Sequence, residues 1–221
     1  MTLRILCIGD SITQGGVQGR DEWTYRHPLQ VMLRDEGVAF DFIGTQATGV
    51  HPSVAWPAVR GEPFDPEHEG YYGWTTAAVC EQLRGSLTRL PPPHVALIHL
   101  GTNDQQAEDF HAAIMAPLES IVTQLRSLSP KVAVFIGHLC FDFGPALEIR
   151  PLVEAMAARL DMRESPVTTV HHYCDWREHP GKSSAHTFDW VHPNPAGQRR
   201  MAENWLVAMK ARGLIGAKLA L

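Results

Sequence analysis

A serine and a histidine–aspartate pair stand near opposite ends of this chain, in settings that suit acyl transfer. Ser11 closes Gly9-Asp10-Ser11, directly after the apolar run Ile5-Leu6-Cys7-Ile8. Asp189 and His192 lie three positions apart in Asp189-Trp190-Val191-His192. A serine hydroxyl is a poor nucleophile until a base takes its proton. His192 is the candidate base. One local turn would bring the Asp189 carboxylate to its ring, fix the tautomer and stabilise the imidazolium. The oxyanion of a tetrahedral intermediate also needs donors. Three are on offer: the Ser11 N–H, the Gly73 N–H with no side chain to block an acyl group, and the Asn103 side-chain amide. Each residue also has a purely structural reading. Ser11 could cap a helix, and Asp189 could be an N-terminal cap beside the stiff turn His192-Pro193-Asn194-Pro195. Gly73 could be a turn glycine, and Asn103 could close a strand in an Asx turn.

The elements that must carry these groups follow from periodicity. The apolar run Leu3 to Ile8 predicts a buried parallel strand, and His94 to Leu100, Lys131 to Leu139 and Pro166 to His172 are expected as further strands. Val38 to Gly44 alternates through Phe40 and Phe42 and predicts another. Helical spacing is expected over His27 to Glu36, Thr75 to Leu90, Asp109 to Leu128, Leu147 to Met162 and Pro195 to Arg212. Pro117 is expected to bend the third of these. Met201, Trp205, Val207 and Met209 are expected on the apolar side of the last. Residues 45–72 and 176–191 have no clean period and are expected as long ordered loops, a length usually tied to function. Strands alternating with helices predict a parallel sheet covered on both faces. Ligands bind beyond the carboxyl ends of such strands. Ser11 and Asn103 each follow a strand, so both are expected at one rim, where the helix after Ser11 could aim its positive end at the site.

The totals bound the class. The chain has 221 residues, 44% of them hydrophobic and 19% charged, which suits one folded domain over 1–221. Its formal net charge of −5, without a basic stripe, argues against nucleic acid as a partner. No apolar stretch approaches the roughly 20 residues of a membrane span. The chain opens with Met1-Thr2-Leu3-Arg4 and runs straight into a strand, so a cytoplasmic protein without a signal peptide or membrane partner is expected. Cys7, Cys80, Cys140 and Cys174 form no CxxC pair and are expected as reduced structural residues. No interface signature marks an oligomeric state.

Taken together, Gly9-Asp10-Ser11-Ile12-Thr13, Gly73-Trp74-Thr75, Gly101-Thr102-Asn103-Asp104 and Asp189-x-x-His192 resemble the four blocks of the SGNH, or GDSL, hydrolase family, in the family's order. Gly70 is a competitor for the second block; Gly73 is preferred because it directly precedes the Trp-Thr that opens a helix. The resemblance implies a flavodoxin-like three-layer α/β/α sandwich with a five-stranded parallel sheet. It implies Ser11, Asp189 and His192 as catalytic triad, with Ser11, Gly73 and Asn103 as oxyanion hole and no cofactor. Residues 68–75 with His192-Pro193-Asn194-Pro195-Ala196-Gly197 are similar to members that remove acetyl groups from sugars. A small-molecule or oligosaccharide ester is therefore the expected substrate. Trp23, Trp56, Tyr71, Tyr72, Trp74 and Trp190 fall in rim segments and suit sugar faces, or else form loop cores; Asp10, Tyr72, Trp74 and Trp190 are the candidate substrate-binding residues. The alternatives are a lipase, thioesterase or arylesterase of the same family, a non-catalytic carbohydrate-binding protein, or a metal protein. A relic would lose the nucleophile or base, and this chain keeps both. Twelve histidines are many. However, His171 and His172 would point opposite ways on a strand, and no HExxH appears. No metal ligand is therefore assigned.

Overall fold

The computed structural model describes residues 2–16, 24–51 and 56–216. The main strands are β1 (Leu3–Gly9), β2 (Phe40–Ile43), β4 (Val95–His99), β5 (Ala133–Gly137) and β6 (Val167–Val170), with a two-residue β3 (Glu69–Gly70). The sheet runs β2-β1-β4-β5-β6, and every ladder is parallel. Short β3 continues the β2 side of β1, pairing Ile8 with Glu69 and Gly9 with Gly70. No periodicity foretold it, because two residues carry none.

Alternation along each strand divides the core. Leu6, Ile8, Ala96, Ile98, Val134 and Ile136 face α3 (Thr76–Ser86), α4 (Ala116–Leu128) and α5 (Ala146–Leu160). Ile5, Cys7, Val95, Leu97 and Phe135 face α2 (Arg26–Asp35) and α6 (Pro195–Ala211). The result is the three-layer α/β/α sandwich. Fully burying side chains of this kind contributes about 1.5–3 kcal/mol each. On the second face, Trp205 of α6 is wholly buried with its ring 6.0 Å from Tyr25. Anchoring α6 there fixes the loop that enters it.

Several helices differ in detail from their patterns. Val207 is exposed rather than apolar-facing; Met201, Trp205 and Met209 alone of that set are buried. Residues His111–Met115 form a π-helical turn that runs directly into α4, and Pro117 sits just inside that junction. After Ser11 comes only a single turn, α1 (Ser11–Gln14), so little dipole can accumulate. Its contribution is local N–H groups. Cys7, Cys80 and Cys140 are buried, Cys174 is exposed, and all four are free thiols.

The strand order reverses between β1 and β4, which makes their shared carboxyl end a topological switch point. Ser11 follows one of these strands and Asn103 the other.

Candidate active site

Four chain segments meet at that switch point, each tied to the next by hydrogen bonds. Ser11 Oγ lies 3.0 Å from His192 Nε2 across 181 positions of sequence. His192 Nδ1 lies 2.8 Å from Asp189 Oδ2. The Tyr71 N–H donates to Gly9 O at 3.0 Å, and the Tyr72 N–H to Gln14 Oε1 at 2.7 Å. Asn103 Nδ2 donates to Trp74 O at 2.9 Å. The Thr76 N–H and hydroxyl both donate to Asp104, at 3.0 and 2.8 Å.

Local chemistry explains each placement. Asp10, not Ser11, is the cap of α1: its Oδ1 accepts the Ile12 N–H at 2.9 Å. That leaves the Ser11 hydroxyl free to face the imidazole. Gly9 is needed for closeness, since a Cβ there would stand 2.2 Å from Thr13 Oγ1 and 2.8 Å from His99 O. Buried Arg26 donates to the carbonyls of Thr13 (3.0 Å) and Gln14 (3.3 Å) in the Ser11 turn and of Pro66 (2.7 Å). Burial lowers its pKa to about 10, with Cys7, Tyr25 and Asp65 opposing the fall, so it stays cationic at neutral pH. Sequence reasoning missed Arg26, Gln14 and Thr76, because ordinary residues outside a motif give no signal until the chain is folded around them.

The histidine loop is set by α6. Asn194 caps that helix, accepting the Ala196 and Gly197 N–H groups at 3.0 and 3.1 Å. Asp189 closes its own turn by accepting the His192 and Val191 N–H groups at 2.8 and 3.2 Å. Partial burial would raise its carboxyl, but the hydrogen bonds from His192 outweigh burial and hold it below the usual carboxylate range. Asp10 behaves oppositely. Complete burial pushes it up to about 6, against the Ile12 N–H, the Thr102 hydroxyl and the His192 charge.

Of the two glycines competing for the second block, Gly70 spends its N–H on His68 Nδ1 at 2.8 Å inside β3. Gly73 is exposed with φ +74, in open space where a Cβ would meet nothing. Glycine is thus needed there for backbone conformation rather than for room. Asn103 uses one amide hydrogen on Trp74 O and keeps a second.

The aromatic candidates separate into two groups. Tyr71 is buried and stacked on Trp74 at 4.7 Å, and Trp56 packs on Phe64 at 5.0 Å; these pin the loop. Tyr72, Trp74 and Trp190 are exposed. Trp190 is held at φ +78, with His179 4.4 Å and Phe143 6.5 Å from its ring. Trp23 lies outside the described residues.

The GDSL-like lipase/acylhydrolase family model matches residues 7–200. This chain belongs to that family. Its domain is a carboxylic ester hydrolase. It is 24% identical over 228 residues to a multidomain esterase of Ruminococcus flavefaciens, covering 93% of this chain and 28% of that protein. It thus spans under a third of that relative's length. In structure it is similar to a carbohydrate esterase family 3 protein from Talaromyces cellulolyticus, at TM-score 0.76 and 20% identity over 96% of this chain and 98% of that one. A Clostridium thermocellum family 3 carbohydrate esterase matches with TM-score 0.73 and 22% identity over 98% and 100%. At these identities the likeness is one of fold. Among the described residues, no helix is long and apolar enough to cross a membrane.

Proposed function

We propose that this chain is a serine esterase that removes short acyl groups, acetyl foremost, from carbohydrate esters through an acyl-enzyme. One observation carries the reading: the unbroken line from Ser11 Oγ to His192 Nε2 at 3.0 Å and from His192 Nδ1 to Asp189 Oδ2 at 2.8 Å. Ser11 attacks the ester carbonyl as His192 takes its proton, and the ionised Asp189 stabilises the imidazolium. The Ser11 and Gly73 N–H groups and the second Asn103 amide hydrogen receive the oxyanion. His192 then returns the proton to the departing alcohol. Water, activated by the same imidazole, releases the acid and restores Ser11.

The carbohydrate half of the reading rests on the exposed rings of Tyr72, Trp74 and Trp190, from the two loops that also bear Gly73 and His192. Flat aromatic faces bordered by polar groups suit sugar rings. The structural likeness to two family 3 carbohydrate esterases supports the same substrate class.

The test is a panel of acetylated sugars beside p-nitrophenyl esters of rising acyl length, run with wild type and Ser11→Ala. Acetyl-sugar turnover that vanishes in Ser11→Ala is the expected result. Higher kcat/KM on octanoyl esters would move the substrate to lipid-like esters. Near wild-type turnover in Ser11→Ala would remove the nucleophile.

A further inference from the structure

Away from the switch point, three potential metal ligands converge at the far edge of the sheet. His138 directly follows β5 and His171 directly follows β6. The parallel register pairs Gly137 with Val170, so the two histidines stand side by side one step beyond. Their rings are 5.2 Å apart and mutually perpendicular. Glu154 reaches them from α5. Its Oε1 lies 2.6 Å from His138 Nε2 and 3.2 Å from His171 Nε2. One donor atom from each of the three residues falls within 4.8 Å of the others.

We propose that His138, Glu154 and His171 form a binding site for a divalent transition-metal ion of the zinc class. Two imidazoles with one carboxylate are a zinc-type donor set, with bonds of about 2.0–2.2 Å and donor atoms therefore roughly 3.3 Å apart. The His171–Glu154 separation already meets that spacing. The His138–Glu154 separation needs to open by a few tenths of an ångström, and Glu154, its side chain 45% exposed, has room to turn. Outer contacts orient two of the ligands. Thr169 Oγ1 donates to Glu154 Oε2 at 3.1 Å, and the Tyr173 hydroxyl lies 3.2 Å from His171 Nδ1. Such partners fix ring orientation and tautomer in metal sites. With the Nδ1 proton of His171 facing that hydroxyl, its Nε2 lone pair is left for the ion.

The His138 side chain is buried, whereas His171 and Glu154 are half exposed. An ion would be held from below by protein and met by solvent from above. Arg150, the nearby cation, lies 3.8 Å over the Tyr173 ring and is paired with Asp142 at 2.5 Å, which offsets its charge. The adjacent His171 and His172 diverge, one toward His138 and the other toward Trp205. His172 is buried against Trp205, at 4.5 Å, on the opposite face. The second imidazole comes from the neighbouring strand, which no local spacing reveals.

The experiment uses EDTA-stripped protein titrated with zinc chloride, followed by calorimetry and thermal unfolding. One zinc per chain should bind, and saturating zinc should raise the Tm by about 5 °C or more. Cobalt(II) should give visible absorption bands at the same stoichiometry. His171→Ala and Glu154→Gln, both at half-exposed positions, should fold normally and lose at least tenfold in affinity along with the cobalt bands. An unchanged wild-type Tm in zinc, or variants that bind zinc as wild type does, would overturn the site. Neither readout depends on esterase turnover, so this inference and the proposed reaction can fail separately.

Discussion

The two carboxylate oxygens of Asp189 both serve His192: Oδ1 accepts its backbone N–H at 2.8 Å, while Oδ2 faces its ring Nδ1, also at 2.8 Å. One side chain therefore closes the turn and orients the imidazole. The helix cap considered for Asp189 falls to Asn194 instead, and Asp189 closes only its own turn. Asp189→Asn keeps a carbonyl for the turn but presents an amide to the ring, favouring the wrong tautomer. We expect kcat to fall on the order of 10⁴-fold with KM little changed. Circular dichroism and Tm should stay near wild type. Steady-state kinetics on p-nitrophenyl acetate decide it; a loss under tenfold would contradict the role.

Asn103 ties its turn to the Trp74 carbonyl. Asn103→Ala removes both that bond and the proposed donor. A kcat loss of about 10²–10³-fold is expected, because the donor acts on the developing charge more than on the bound ester. If KM rises instead while kcat holds, Asn103 positions substrate and does not stabilise the oxyanion.

Gly73→Ala separates strain from access. No atom lies near the new Cβ, but φ +74 is costly for alanine by roughly 1–2 kcal/mol. A Tm lower by a few degrees is the predicted outcome, measured by calorimetry. A variant as stable as wild type would mean the turn relaxes.

Asp10 makes stability depend on pH. Its carboxyl rises from 3.8 to about 6 on folding, so the folded chain binds more protons between these values than the unfolded one. That contribution is fully present below about pH 4 and is lost as pH climbs through 6. Keeping the buried carboxylate ionised above pH 6 costs on the order of 3 kcal/mol. Buried His99 has the opposite sign. Burial lowers it to about 4, with a hydrogen bond to the His138 backbone opposing and the His138 charge adding to the fall, so its stability is present above pH 6.5 and is lost as pH falls toward 4. Asp10→Asn should be more stable than wild type at pH 7–8, equal to it below about pH 4, and steeper in its acid transition. Urea melts across pH 4–8 measure this; a pH-independent difference would refute the assignment.

Trp190 pairs an exposed ring with a left-handed backbone. Trp190→Gly should relieve the strain, at a gain of about 1 kcal/mol, offset in part by lost contact with His179. On acetylated sugars KM should rise about tenfold, while ethyl acetate turnover should be unaffected. Equal losses on both substrates would place the residue's effect on His192 itself.

The sandwich was readable because β1, β4 and β5 are apolar runs and the helices between strands carry apolar stripes: Ile5 and Leu6 are adjacent letters that settle on opposite faces. The residue types of the proposed site were legible too, since Ser11, Asp189 and His192 carry their chemistry wherever they sit. Local turn chemistry placed Asp189 beside His192. What the letters could not decide is every relation that depends on distance through space. Gly73 rather than Gly70 keeps its N–H, because the buried His68 ring takes the Gly70 N–H. Asp10 titrates abnormally only because β1, α1 and the Thr102 turn bury it. Arg26 braces the Ser11 turn from a helix with no motif. His138, Glu154 and His171 meet only through strand register and the packing of α5. Periodicity reports which way a residue faces along its own element, and only the packed chain sets what stands opposite.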